Sequence, residues 1–99
     1  MISKSYTKSG SSCRVTFRVP TEDLEAEQVS VLGDFNDWDP ESHPLKLRKN
    51  GTFSVTFSLE AGRPYRFRYL ADGERWFNDE QADSTERNRF GTEDAVLEL

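Results

Sequence analysis

The stretch Leu45-Lys-Leu-Arg-Lys49, Asn50-Gly51, Thr52-Phe-Ser-Val-Thr-Phe-Ser-Leu59 decides the fold. Asn-Gly between two runs of alternating polarity is the strongest short-range hairpin signal, because both residues tolerate the positive φ of a type I′ turn. In the second arm Phe53, Val55, Phe57 and Leu59 share one face, and Thr52, Ser54, Thr56 and Ser58 the other, as a side-chain period of two requires. The same period extends in both directions. Upstream, Cys13, Val15, Phe17 and Val19 alternate with Arg14, Thr16 and Arg18 until Pro20, and Val29 and Val31 resume the pattern up to Gly33. Between them residues 21–28 form an acidic connection expected to hold a short helical turn. Downstream, Ala61-Gly62 reverses the chain, and Tyr65, Phe67 and Tyr69 alternate with Arg66 and Arg68. Asp72-Gly73 makes a tight turn before Trp76-Phe77, residues 78–89 read as a polar loop, and Phe90-Gly91-Thr92 leads into a last apolar segment, 95–99. About seven short strands without a long helix define an all-β chain, an immunoglobulin-like antiparallel β-sandwich. Residues 13–99 make up the module, and residues 1–12, polar and Ser-rich, read as a flexible tail.

Composition narrows the function. A chain of 99 residues is one domain, too short for a (β/α)₈ barrel of roughly 200 residues or more. Apolar residues make up 34%, below the usual ~45–50%. Two Trp, three Tyr and seven Phe supply the bulk instead, giving a thin aromatic core with rings left over for a surface. With 18 acidic and 13 basic residues the net charge is −5, which argues against nucleic acid as partner, since phosphate binding needs clustered cations. No apolar run approaches the ~18–20 residues of a membrane span, and residues 1–12 lack the apolar stretch of a signal peptide. A single cysteine cannot close an internal disulfide, so a reducing cytoplasm is the simplest compartment.

Catalytic constellations find little support. His43, the one imidazole, precedes Pro44 in a proline-bounded loop and would carry any nucleophile triad alone; it reads as a solvated loop histidine. Cys13 shares the apolar face of Val15 and Phe17, as a buried small hydrophobe does. Asp34, Asp37 and Asp39 cluster, as do Asp79, Glu80 and Asp83. A glycosidase needs two such groups around a cleft that raises one pKa, whereas these sit in polar loops and read as solvated acids. Counted from Asp34, an EF-hand loop would need an oxygen ligand where Trp38 stands and glycine where Asp39 stands, so the calcium pattern fails. No catalytic residue, metal ligand or cofactor is expected. The informative residues are the tryptophans. Trp38 lies among Asn36, Asp37 and Asp39, which leave little apolar surface for an inward ring; Trp76 follows a tight turn and borders Glu74, Arg75 and Asn78. Flat aromatic faces bordered by polar side chains suit sugar rings, which combine an apolar C–H face with a hydroxyl rim. The competing reading makes either ring a core plug, Trp76 above all, because Phe77 is its neighbour.

The ordered motifs Val31-Leu-Gly-Asp-Phe-Asn-Asp-Trp38, His43-Pro-Leu45, Gly51-Thr-Phe53, Leu59-Glu-Ala-Gly62, Tyr65-Arg-Phe67, Asp72-Gly73 with Trp76, and Phe90-Gly91 resemble carbohydrate-binding module family 48. This is the isoamylase N-terminal or early set domain, similar to the glycogen-binding domain of the AMP-activated kinase β subunit. The resemblance covers residues 13–99. It implies an immunoglobulin-like sandwich that binds α-1,4-glucans such as glycogen, starch or maltodextrins, with Trp38 and Trp76 as stacking platforms. It implies a basic contact at Arg68, with Arg66 as the alternative, an apolar contact at Phe90 and a threonine, Thr92, in the site. Asp94 stands where the kinase module has a glucan-bonding asparagine, so one hydrogen bond must change sense, because a carboxylate accepts only. Relatives carry this module ahead of a catalytic barrel; here the chain ends at Leu99, about where the last strand should finish. The expectation is a stand-alone, non-catalytic α-glucan binder. An adaptor docking on a glycogen- or starch-metabolising enzyme is the alternative, and a small glycosidase the third reading.

Overall fold

The computed structural model describes residues 2–21 and 24–99. These residues form β1 (Ile2–Tyr6), β2 (Ser12–Pro20), β3 (Val29–Gly33), β4 (Pro44–Leu47), β5 (Thr52–Glu60), β6 (Pro64–Ala71), β7 (Arg75–Phe77), β8 (Ser84–Arg87) and β9 (Glu93–Glu98). The strands follow the order β1-β2-β5-β4-β3-β6-β9-β8, all antiparallel, and β7 adds to β6. The short β4 belongs to both halves. Pro44 and Leu45 pair with β3, whereas Lys46 and Leu47 pair with β5. That switch lets one sheet fold over into two layers, as a sandwich corner requires.

Alternation places the core between the layers. Cys13, Val15, Phe17 and Val19 of β2 and Phe53 of β5 face Val29 and Val31 of β3, Tyr65, Phe67 and Tyr69 of β6, and Ala95 and Leu97 of β9. Phe17 has no exposed surface and meets Phe35, Phe57, Phe67 and Tyr69 at ring-centroid distances of 5.2–6.4 Å. Aromatic pairing at this spacing adds to area burial, which is how a chain poor in aliphatic residues obtains a core.

Three features depart from the sequence reading. The hairpin between β4 and β5 stands where Asn50-Gly51 puts it, but only Gly51 has positive φ, at 79°. The Gly51 N–H donates to the Arg48 carbonyl at 3.1 Å and the Arg48 N–H to the Thr52 carbonyl at 2.8 Å. That is a three-residue loop, a type I turn closed by a left-handed glycine, rather than type I′. Residues 2–6, read as part of a flexible tail, form the edge strand β1 in register with β2, Ile2 opposite Phe17 and Tyr6 opposite Cys13. An edge strand buries one flank only, so five mostly polar residues suffice, and Lys4 ties this edge across the sandwich to the Asp83 carboxylate at 2.7 Å and the Glu98 carbonyl at 3.0 Å. Within the supposed loop 78–89, Ser84–Arg87 pairs with β9 as β8; all four residues are exposed, so no alternation marks it. With these two the strands number nine among the described residues. In the acidic connection the Leu24 N–H donates to the Thr21 carbonyl at 3.2 Å; positions 22 and 23, on which the expected short helical turn falls, lie outside the described residues.

Candidate carbohydrate-binding site

The turn after β3 presents Trp38. Gly33 is obligatory there, since a Cβ would lie 2.4 Å from the Arg66 carbonyl oxygen and 2.9 Å from the Phe67 Cβ. The Gly33 carbonyl accepts from the Asn36 and Trp38 N–H groups at 3.1 and 3.0 Å. Asn36 closes the turn from inside: its Oδ1 accepts from the Gly33 N–H at 3.0 Å, and its Nδ2 donates to the Val31 carbonyl at 3.0 Å and to His43 Nδ1 at 2.9 Å. Asp37 and Trp38 consequently hold φ values of 54° and 58°, a left-handed backbone that costs roughly 1–2 kcal/mol per non-glycine residue. Phe35 points inward against Phe17, Phe57 and Tyr65, so the half-buried Trp38 is left on the outside. Its indole Nε1 donates to Asp34 Oδ1 at 3.2 Å, and Asp34 Oδ2 accepts from the Arg66 N–H at 2.9 Å. Asp34 thereby links the indole to β6.

Strand parity supplies the opposite side. On β6 Arg66 and Arg68 point away from the core, and on β7 Trp76 does so while Phe77 packs on Tyr69 at 5.1 Å. Trp76 is 46% exposed, and the Arg68 guanidinium lies 5.7 Å from its ring centroid. Arg68 Nε is buried with no hydrogen-bond partner among the described residues. Arg66 is committed elsewhere, gripping Glu86 with Nη2 at 2.6 Å and Nε at 3.2 Å. The β8–β9 turn completes the rim. Asn88 organises it, its Oδ1 accepting from the Phe90 and Thr92 N–H groups at 2.9 and 3.2 Å, and its Nδ2 donating to Thr92 Oγ1 at 2.8 Å and Asp94 Oδ1 at 3.1 Å. Phe90 is 77% exposed with the Arg89 guanidinium 5.0 Å from its ring centroid, whereas Asp94 is buried.

All six candidate positions, Trp38, Arg68, Trp76, Phe90, Thr92 and Asp94, line one depression of about 810 Å³, together with Asp34, Arg66, Asn88 and Arg89. Nothing in the sequence marks Asn88 or Arg89 for a role, and Asp34 reads there as a solvated acid. Asp34 was visible inside the Gly-Asp-Phe-Asn-Asp-Trp motif, but its bonds to positions 38 and 66 were not. Exposure also reverses the ranking of the tryptophans, since Trp76 is the more open of the two.

Other candidates take structural places. Asp79 is buried and accepts from the Tyr69 hydroxyl at 2.7 Å, and burial, then the Asp79 charge, pushes that phenol far above its ordinary range. Asp39 is held low by the Glu41 N–H and the Ser42 hydroxyl. No group of three or more His, Cys, Asp or Glu close enough for a metal ion occurs among the described residues. Cys13 is fully buried in the core. His43 is only partly exposed: it stacks on Phe57 at 3.9 Å and braces the Trp38 turn through Asn36. Burial lowers its pKa from the ordinary 6.5. An unfolded chain therefore takes up this proton at higher pH than the folded one, so His43 lends stability above about 6.5 that is lost as pH falls through the folded value. The melting midpoint of the parent should fall more steeply from about pH 7.5 to about pH 5 than that of His43→Gln. Parallel slopes would show that the imidazole does not couple folding to pH.

Two outward aromatic rings, with charged side chains between them, on one layer of an all-β sandwich make the architecture of a carbohydrate-binding module. The family model described as the glycogen recognition site of AMP-activated protein kinase matches residues 18–99, and the chain belongs to that family. It is also similar to 1,4-alpha-glucan branching enzymes GlgB. Identity is 43% over 53 residues, half of this chain, for that of Mesorhizobium japonicum, and 45% over 51 residues, 48% of this chain, for that of Thiobacillus denitrificans. For Paramagnetospirillum magneticum it is 32% over 79 residues, 73% of this chain. The chain spans 7% of the first two enzymes and 11% of the third.

Proposed function

We propose that this chain binds α-1,4-glucans without transforming them, by stacking sugar rings on Trp38 and Trp76. The observation that carries the reading is the convergence of both indoles and Arg68 on one depression, with the guanidinium 5.7 Å from the Trp76 ring centroid. Arg68 rather than Arg66 is the proposed polar contact, because Glu86 already occupies Arg66. Phe90 adds an apolar edge, Thr92 shapes the rim, and Asp94 accepts from hydroxyls where its Asn88 contact leaves a lone pair. The lone, buried Cys13 goes with a reducing cytoplasm as the proposed compartment.

An α-1,4-glucan curves and reaches two platforms set apart, whereas a flat β-1,4-glucan meets one. Maltoheptaose should bind with Kd of ~10 μM to 1 mM, about −7 to −4 kcal/mol, and cellohexaose far more weakly. The affinity should barely change with salt, since a neutral ligand releases no counterions. Calorimetric titration of both oligosaccharides decides it, and equal affinities would remove the two-platform argument. Reducing ends released from glycogen would instead bring back the glycosidase reading.

A further inference from the structure

The layer opposite the depression has an outward face of unusual composition. Register puts Ser3 and Ser5 of β1, Arg14, Thr16 and Arg18 of β2, Ser54, Thr56 and Ser58 of β5 and Lys46 of β4 on the side away from the core. Short hydroxyl side chains carpet this face, bonded to one another where Thr16 and Thr56 meet at 2.9 Å. Cations stand above the carpet. Arg18, Ser54 and Lys46 form one row across three strands, which puts Lys46 roughly 10 Å from Arg18, with Arg14 about 13 Å along the strand. Arg48 joins them through its bond to Ser54 Oγ at 2.8 Å. The one outward carboxylate of these strands is Glu60, at the corner opposite Ser12. Among the described residues Arg14, Lys46 and Arg48 make no ion pair. Residues 72–98, by contrast, hold nine carboxylates against three arginines, so this face is locally cationic in a chain of net charge −5.

We propose that this face docks an acidic protein surface while the other layer holds the glucan. Charge complementarity selects the occupant. Apart from the prolines at strand ends, Pro20 and Pro44, the outward positions carry no apolar side chain to enter a lipid interface, and they carry no aromatic on which a base could stack. Guanidiniums on a flat, close-approach surface instead suit carboxylates, which they grip in pairs. The nine-residue strands β2 and β5, the five residues of β1 and the Lys46–Leu47 end of β4 present roughly 400 Å² in projection, one partner's share of a small, transient interface. The branching-enzyme relatives are consistent with this, because the segment they share with this chain is 7–11% of a much larger protein.

The test is a nuclear magnetic resonance titration of the full chain with poly-L-glutamate as the acidic probe, alone and with saturating maltoheptaose. Polyglutamate should shift the amides of Arg14, Thr16, Lys46, Ser54, Thr56 and Ser58 and leave the indole N–H signals of Trp38 and Trp76 in place. Maltoheptaose should do the converse, and both should bind together. Arg14→Glu with Lys46→Glu should weaken polyglutamate at least tenfold and leave maltoheptaose unchanged; Arg14→Gln with Lys46→Gln should fall between. Shifts scattered elsewhere, or none, overturn the proposal. So does tighter binding of a DNA duplex or of phosphatidylserine vesicles to the same face, or concentration-dependent dimerisation that the reversals abolish. Failure of the glucan reading would show separately, as maltoheptaose leaving both indoles unmoved.

Discussion

Replacing Trp76 by alanine should weaken maltoheptaose at least tenfold, about 1.4 kcal/mol, while the melting midpoint stays near that of the parent. The ring is 46% exposed and belongs to no core contact, and surface substitutions of that kind usually stay within ±0.5 kcal/mol. Trp38→Ala should lose binding by a similar factor but also about 1 kcal/mol of stability, because a half-buried indole bonded to Asp34 goes with it. Calorimetry paired with thermal melting of both variants reads the two quantities apart. A drop of roughly 12 °C or more for Trp76→Ala, corresponding to about 3 kcal/mol in a chain of this size, would make the ring a core plug and lost binding a mere report of unfolding.

What the sequence revealed follows from the range of the interactions involved. Central strands announced themselves because burial on one face imposes a period of two, as in Val15-Thr16-Phe17 and Phe53-Ser54-Val55. Ile2–Tyr6 and Ser84–Arg87 lie at the two edges of the strand order, where little is buried and no period is imposed. The hairpin was located by Asn50-Gly51, yet its turn type depended on Arg48 bonding to Thr52 and Gly51 to Arg48, which composition does not encode. Of the six candidate site positions, Trp38 and Trp76 stand out by their polar neighbours, the other four follow from a family pattern, and parity alone puts both Arg66 and Arg68 outward. What separates those two is Glu86, on a strand without a sequence signature, twenty positions from Arg66. Asn88 and Asp34 were passed over for the same reason: their work lies in bonds to Thr92, Asp94, Trp38 and Arg66, not in their own chemistry.

The largest effect on fold and site together is expected at Gly33. Its φ is not left-handed, so alanine carries no backbone penalty there; the obstacle is space. A methyl would sit 2.4 Å from the Arg66 carbonyl oxygen and 2.9 Å from Phe67 Cβ, both fixed by the β3–β6 pairing, with no flexible side chain able to yield. Relief requires prising β3 from β6 where Gly33 pairs with Phe67, beside a fully buried ring of the core. Overpacking of a well-filled site costs about 1–3 kcal/mol and occasionally more, and immovable backbone puts Gly33→Ala at or above the upper figure. The midpoint should therefore fall by roughly 12–24 °C. Binding should suffer even in the fraction that stays folded, because the Gly33 carbonyl and N–H carry the bonds that aim Trp38. A variant that melts with the parent would mean that β3 and β6 part easily at this point, and Trp38 would then have no rigid base from which to meet a sugar ring.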